Sequence, residues 1–386
     1  MTEKTEQYDI ICLSHLKWEQ TLFQRPQQLM KLFSQQSKVI YVAHCSTKDF
    51  MSAVFSGNRE FYAGQFGENL HYRTIPFLPF SRRSRFLQRL TDRITAFVAR
   101  RLACRLGFQN VCLWLYYPSY VRHLDLFSHT RLVYDCMDHF RGFRASVGNI
   151  QDLENELMKK ADIVFTGGRS LQRSKEGVNP KTICFPSGVE YEHFLRAAGA
   201  ETPVPGDICD IPGPILGYFG AVDERLDFTL LDRVCEVRPD WSVVLIGPLV
   251  GMNRCPVDRP NFHHLGPRKY ADLPGYLKAF DVCMMPFVIS ELTLHISPTK
   301  TPEYLAGGKP VISTPIPDVV ADYSDVVSIA GNAEEFIEKT RLLLESPPPD
   351  LHVRIRRKAE TKSWQYIADR MREHVIALDV KSSKKR

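Results

Sequence analysis

The sequence predicts an α/β protein of two doubly wound domains, each built on a parallel sheet. Three observations carry that expectation. Short β-branched runs alternate with helical patterns through most of the chain, as stacked βαβ units do. At 386 residues the chain exceeds what one hydrophobic core usually organises. A stretch rich in Gly, Pro and small residues, AAGAETPVPGDICDIPGP at 197–214, separates two such alternating series.

In the first series strands are expected at 8–13, 38–43, 70–75, 110–116, 131–136, 162–166 and 182–185. Helices between them include one opening at Pro26, a residue suited to a first helical turn, and others over 84–105 and 151–160. The second series places strands at 215–219, 242–246, 262–265, 282–285, 310–313 and 326–329. Gly247, Gly266, Gly307 and Gly308 fall at strand–helix junctions, where tight turns or close backbone approach are needed. The resulting division is a first domain at 1–196, a linker at 197–213, a second domain at 214–360, and a terminal helix with a basic KSSKKR tail at 361–386 that could pack back on the first domain. The two domains are expected to face a cleft, with ligands at the carboxyl ends of the strands.

Composition narrows the class. Hydrophobic content of 44% and charged content of 24% are those of a globular protein. The 10 cysteines are scattered singly, none at zinc-ligand spacing, and several sit in apolar runs, a usage that fits a reducing cytosol. The opening MTEKTEQYD lacks the layout of a signal peptide, and no apolar run approaches the ~20 residues that cross a bilayer. The expectation is a cytoplasmic protein, soluble or peripheral at the inner face of the membrane.

The strongest constellation is SPTKTPEYLAGGKP at 297–310, which follows the strand expected at 282–285. Ser297-Pro298 and Thr301-Pro302 both read as an N-cap followed by a Pro at the first helical position, and the sequence leaves the choice open. Either opening leaves unsatisfied backbone N–H groups near Thr299 to Thr301 at a positive helix terminus, a seat for a diphosphate, with Lys300 as a point charge beside it. Glu303 then falls in the first turn, where its carboxylate could accept two ribose hydroxyls. The plain structural alternative is a capped helix, a Gly-Gly turn and a buried strand.

With GYFGAVDERLD (217–227), RPDWSVVLIGP (238–248) and NFHHLGPRKYADLPGYLKAFDVCMMPF (261–287) ahead of it, this stretch resembles the nucleotide-sugar site of group-1 (family 4) glycosyltransferases, which have the GT-B fold of two Rossmann-like domains. In the first half RPQQLM (25–30), LVYDCMD (132–138) and ADIVFTGGRSL (161–171) resemble a bacterial subgroup that makes capsular, teichuronic-type or exopolysaccharides. The resemblance implies a hexosyl transfer, with retention, from a UDP-, GDP- or related nucleotide sugar to a glycan or polyprenyl-linked acceptor. The nucleotide sugar is then a donor substrate, and no cofactor is implied. Carried over by position, Glu303 holds the ribose, and Ser297, Thr299, Lys300 and Gly220 surround the diphosphate. Arg225 is the candidate for the basic residue beside the leaving group.

Two departures bear on the donor and acceptor contacts. His295 stands where members often carry a sugar-binding glutamate, with Glu291 the nearest acid, and the loop after the first strand reads SHLKWEQ instead of a glycine-rich turn. Asp138 and His139, at the carboxyl end of the strand ending YDC, are candidates to polarise an acceptor hydroxyl or the donor sugar; the structural alternative is a turn or N-cap. His15 and Trp18 have a lesser claim as acceptor contacts. No D-x-D triplet occurs, so the charge of the leaving nucleotide is expected to be met by a helix dipole and cations without a metal. An epimerase or hydrolase on the same fold and a non-catalytic glycan-binding protein are the alternative functions.

Arg82 to Arg105 holds eight arginines against one acid, Asp92. Phe86, Leu87, Leu90, Ile94, Phe97, Val98 and Leu102 recur there at helical spacing and define an apolar face. Two readings stand: a surface helix docking on anionic lipid, or a helix packed on its own sheet with a solvated arginine face. Interleaved surface aromatics and nucleic-acid motifs are missing from the stripe, so nucleic acid is not an expected partner.

Overall fold

The computed structural model describes residues 8–18, 24–81, 84–137, 149–290, 293–294 and 299–378. The chain forms two compact units, one of Met1–Phe185 with Ile367–Arg386, the other of Pro186–Tyr366.

The first unit contains β1 (Ile10–Ser14), α1 (Arg25–Phe33), β2 (Val39–Cys45), α2 (Thr47–Phe55), β3 (Ala63–Phe66), β4 (Leu70–Pro76), α3 (Arg85–Arg105), β5 (Cys112–Leu115), a 3-10 segment Pro118–Leu126, β6 (Arg131–Cys136), α4 (Ile150–Lys160), β7 (Ile163–Thr166), α5 (Arg169–Lys175) and β8 (Thr182–Cys184). Its strands lie in the order β3-β4-β2-β1-β5-β6-β7-β8. All neighbours are parallel except β3 and β4. The inner strands are buried along their length, which is why IICLS and VIYVAHC read as continuous apolar runs. The pattern does not predict β3, because AGQF has neither alternation nor β-branched residues. It pairs as an edge strand because Gly64 leaves its Cβ space to the Tyr72 ring.

The second unit contains α6 (Tyr191–Leu195), α7 (Gly206–Cys209), β9 (Ile215–Phe219), α8 (Phe228–Val237), β10 (Ser242–Ile246), β11 (Phe262–Gly266), α9 (Leu273–Ala279), β12 (Val282–Met285), α10 (Lys300–Ala306), β13 (Val311–Ser313), α11 (Pro317–Tyr323), β14 (Val327–Ile329), α12 (Ala333–Glu345) and α13 (Leu351–Glu360). Its sheet, β11-β10-β9-β12-β13-β14, is parallel throughout. Strand order reverses between β9 and β12, the place where doubly wound sheets open a crevice.

The segment 197–213, expected as a linker, lies within the second unit. Lys278 Nζ donates to the carbonyls of Gly199, Ala200 and Thr202 at 2.9, 3.0 and 2.9 Å, and Arg268 and Tyr276 hold Asp207. Lys278 thus satisfies backbone carbonyls outside any ladder, while Arg268 and Tyr276 tether the Asp207 side chain, and such contacts leave no trace in composition. The final helix, α14 (Trp364–Ile376), crosses the boundary between the units and falls mostly in the first.

Inside the first unit, buried Arg25 joins three elements. Its Nε donates to Asp135 Oδ1 of β6 at 2.9 Å, its Nη1 to the Phe185 carbonyl at 2.6 Å, and its Nη2 faces Met371 Sδ of α14 at 3.9 Å. Burial pushes the Asp135 carboxyl up, and the Arg25 charge opposes that shift. Three half-buried or buried histidines, His15, His44 and His123, gather around Tyr117 and Tyr120 in this unit. Burial pulls His15 and His44 down to about 4 and His123 to about 3.

Two stability predictions follow from these groups. Arg25→Ala strands a buried carboxylate and is expected to cost about 3–5 kcal/mol of unfolding free energy by denaturant titration, with Asp135→Asn in the same background restoring part of it. The histidines have folded values below their unfolded value near 6.5, so the stability they contribute is complete above that pH and is lost as pH falls toward 4. Asp92, raised to about 6 by burial, changes in the opposite sense and offsets one of the three. Melting temperature should fall between pH 6.5 and 4, and His44→Gln should flatten that slope by roughly 1 kcal/mol per pH unit.

Candidate functional site

At the strand-order reversal of the second unit, two loops meet with no room for side chains. Gly220 N donates to the Ile246 carbonyl at 2.8 Å, and a Cβ on Gly247 would stand 1.7 Å from the Gly220 carbonyl oxygen. Gly247 has φ +149°, a conformation that L side chains rarely adopt. This contact draws the loop after β9 against the loop after β10.

The loop after β9 then turns through Asp223 and Arg225. Arg225 Nε donates to both Asp223 oxygens at 2.8 and 3.0 Å, and its Nη2 to Oδ2 at 2.6 Å. Burial acts to raise the Asp223 carboxyl, but the hydrogen bonds and charge of Arg225 overcome it and hold the group below the usual range. The Arg225 carbonyl accepts from Val288 N at 2.8 Å, which ties this turn to the segment leaving β12.

Helix α10 closes the constellation. The Phe219 N–H donates to Tyr304 Oη at 3.0 Å, fastening the helix to the last residue of β9. Lys300 Nζ donates to Glu303 Oε2 at 2.8 Å and sits 5.3 Å from the centroid of the Phe219 ring. Glu303 is 9% exposed. Burial raises its carboxyl, Lys300 opposes that rise, and nearby Glu190 adds to it. Tyr218, whose hydroxyl donates to the Ala221 carbonyl at 3.1 Å, senses the charges of Arg225, Asp223 and Glu303 together. The arrangement offers a cation, a buried acceptor and backbone amides within one crevice.

The family profile of group 1 glycosyl transferases matches residues 213–346. Those residues belong to the group 1 glycosyl transferases. TuaH of Bacillus subtilis, named for teichuronic acid biosynthesis, is 26% identical over 228 residues, which cover 54% of this chain and 56% of that protein. The chain thus matches just over half the length of that relative. Among solved structures, sucrose-phosphate synthase from Thermosynechococcus elongatus superposes with a TM-score of 0.62 at 13% identity, covering 95% of this chain and 98% of that one. HepE of Anabaena, solved with UDP and glucose, gives 0.62 at 14% identity, covering 96% and 100%. These neighbours show the fold, which is GT-B.

Within this glycosyl transferase domain, Gly220, Arg225, Thr299, Lys300 and Glu303 come together at the reversal between β9 and β12. Ser297 lies outside the described residues, as do Glu291 and His295. Of the two helix openings expected, the Thr301-Pro302 one is not adopted: α10 starts at Lys300 with Thr299 as N-cap, and Pro302 is its third residue. Pro302 fits there because the first-turn N–H groups have no intrahelical acceptor. Arg225, the candidate basic residue beside the leaving group, has its guanidinium paired with Asp223. The signal was present in DER, since an acid two residues before an arginine in a turn can close a bidentate fork. The sequence pattern does not single out Tyr304, because its hydroxyl acts on backbone 85 residues away, nor Tyr218, whose hydroxyl closes a local contact with the Ala221 carbonyl.

In the first unit, Asp138 and His139 lie outside the described residues. His15 is partly exposed after β1, with its ring 5.5 Å from that of Tyr117. Trp18 does not have the accessible place expected of an acceptor contact. It is buried, stacked on Tyr72 at 5.9 Å and edge-on to Tyr41 at 5.2 Å, because a large apolar ring gains more from the core than from a loop tip.

The glycine contact gives a sharp test. Gly247→Ala is expected to destabilise the second unit by on the order of 3 kcal/mol or more, read by hydrogen exchange of β9 and β10 amides. Gly251→Ala, at φ +73° with nothing within 4 Å, should cost only about 1 kcal/mol. Equal costs would sink the close-approach account.

Proposed function

We propose that this protein is a glycosyltransferase of polysaccharide biosynthesis. It moves a hexosyl group from a nucleotide-diphosphate sugar to a glycan or polyprenyl-linked acceptor, with retention and without a metal. The observation that carries the reading is the buried Glu303 beside Lys300 at the strand-order reversal of a group 1 domain. A buried carboxylate needs hydrogen-bond donors, and a ribose supplies two adjacent hydroxyls. A diphosphate needs cations and amides, which Lys300, the outer edge of Arg225 and the backbone at Thr299 supply, while Gly220, its own N–H taken by the Ile246 carbonyl, contributes room for close approach. In the transfer, the acceptor oxygen bonds to the anomeric carbon, the bond from that carbon to the phosphate oxygen breaks, and the acceptor proton leaves to a base. Asp138 and His139 are the residues we assign to the acceptor hydroxyl. HepE, solved with UDP and glucose, supports a nucleotide sugar as donor. The relative named for teichuronic acid biosynthesis supports a cell-surface glycan as product, and with it a cytoplasmic enzyme working at the inner membrane face.

Lys300→Ala and Glu303→Ala are each expected to lower kcat/KM for transfer by about 100-fold or more; the thermal melt of the apoprotein shifts little in Glu303→Ala and falls in Lys300→Ala, which strands a buried carboxylate. Full activity in both variants would overturn the site. A screen of nucleotide diphosphates by thermal shift should find one that stabilises the fold by about 2.7 kcal/mol at 100 times its Kd, and the Glu303 variant should lose that shift. Donor incubated without acceptor separates transfer from epimerisation, which would return an altered nucleotide sugar.

A further inference from the structure

Helix α3 is mounted with Phe86, Leu90, Ile94 and Phe97 facing outward, whereas Leu102, expected on the same apolar face, is turned inward. The side packed on the first unit consists of Thr91, Thr95, Ala96, Ala99, Leu102 and Ala103, all buried. Of the large residues, Phe86 is 74% exposed and Phe97 63%, and Leu90 and Ile94 are exposed as well. A spacing of four, four and three residues places these on one stripe along the helix. Arg85, Arg89, Arg93, Arg100, Arg101 and Arg105 are all exposed around it. The single acid of the helix, Asp92, is turned away, its Oδ1 3.4 Å from His123 Nε2.

The approach to the helix carries the same character. Phe80 is 74% exposed and has φ +61°, a left-handed conformation that costs a phenylalanine strain. The turn holding it is anchored to α3, since Leu78 N donates to Thr91 Oγ1 at 3.3 Å and Ser84 N to the Phe80 carbonyl at 3.0 Å. Beside the stripe, Arg93, Phe97, Arg100 and Arg101 line a cavity of about 470 Å³.

We propose that this face docks on an anionic bilayer, with Phe80, Phe86, Leu90 and Phe97 entering the boundary between headgroups and acyl chains and the three arginines of the cavity seating a lipid phosphate. Charge complementarity selects the occupant. The stripe is apolar and six exposed arginines accompany it along the helix, the composition that lies in an anionic lipid interface. A second copy apposed through the same face would set arginines against arginines. Contrary to the expectation from sequence, the stripe does carry surface aromatics among its arginines, Phe86 and Phe97; stacking and backbone recognition of nucleic acid would nevertheless leave the aliphatic Leu90 and Ile94 unused. The inference rests on the proposed lipid-linked acceptor only for its use, because docking needs neither donor nor acceptor.

The test is cosedimentation of the full chain with vesicles, without nucleotide sugar. Phosphatidylglycerol vesicles should bind at least about tenfold more tightly than phosphatidylcholine ones. Phe86→Ser with Phe97→Ser should weaken binding about tenfold, and Arg93→Ala, Arg100→Ala and Arg101→Ala together by more, at roughly fivefold for each arginine. Millimolar inorganic phosphate should compete only weakly, since it cannot occupy the apolar stripe. Binding that is equal on the two lipids, absent on both, or insensitive to the phenylalanine pair would overturn the proposal. So would duplex DNA or heparin binding as tight as the vesicles, or a concentration-dependent dimer abolished by the phenylalanine pair. Nucleotide thermal shift and transfer to a soluble acceptor involve no α3 residue. Their failure with vesicle binding intact would remove the proposed function alone, and the converse result would remove the docking face alone.

Discussion

The direction of the strands decides where this molecule can do chemistry. In a parallel sheet every strand delivers its carboxyl end to the same edge, and the crossovers that follow must leave to one side or the other. Where the order reverses beside β9, the crossovers leave to opposite faces of the sheet, and this is the place where doubly wound sheets open a crevice. The Gly220–Gly247 contact narrows one wall of that crevice, and the Phe219–Tyr304 hydrogen bond fixes the other. Lys300 and Glu303 owe their place to these two constraints more than to the short helix that carries them.

Both cations of the crevice are held by carboxylates before any ligand arrives, Lys300 by Glu303 and Arg225 by Asp223. Each pair has zero net charge, so an anion alone gains less than the two cations suggest. An inorganic phosphate that took Lys300 would leave Glu303 buried without its counter-charge, which is costly. On the proposed reading, a nucleotide diphosphate avoids that cost because its ribose hydroxyls donate to the carboxylate as its phosphates take the lysine. The internal pairs then act as a filter for a ligand with acceptors and donors at the right separation.

Both sheets are readable from the residues, since buried parallel strands require continuous β-branched runs and such runs need only local pattern to find. Ile215–Phe219, Ser242–Ile246 and Val282–Met285 coincide with the expected bounds for this reason. What escapes is whatever depends on a distant partner. The edge strand Ala63–Phe66 forms because Tyr72 fills the space over Gly64, and the segment after Ala197 is ordered because Lys278 reaches its carbonyls. The candidate site divides the same way. Lys300 and Glu303 are three apart on one helix and visible together, whereas Tyr304 acts on Phe219 across 85 residues.

Helix α3 shows why periodicity gives a face but not its direction. The apolar spacing of Phe86, Leu90, Ile94 and Phe97 is regular, and the usual inference turns such a stripe inward. That inference weighs hydrophobicity alone. The opposite side of the helix carries Thr91, Thr95, Ala96, Ala99 and Ala103, and these bury because the helix packs tightly on the elements beneath it, with no space for phenylalanine rings. Thr91 and Thr95 lose little by being inside, since their hydroxyls donate to the carbonyls of Leu87 and Thr91 at 3.0 and 2.9 Å. The close packing of the small face therefore determines that the aromatic face is left outside, and a stripe of that size in water is an unfavourable arrangement for a protein with no use for it. Size, read together with hydrophobicity, is the quantity that would have set the orientation from the sequence.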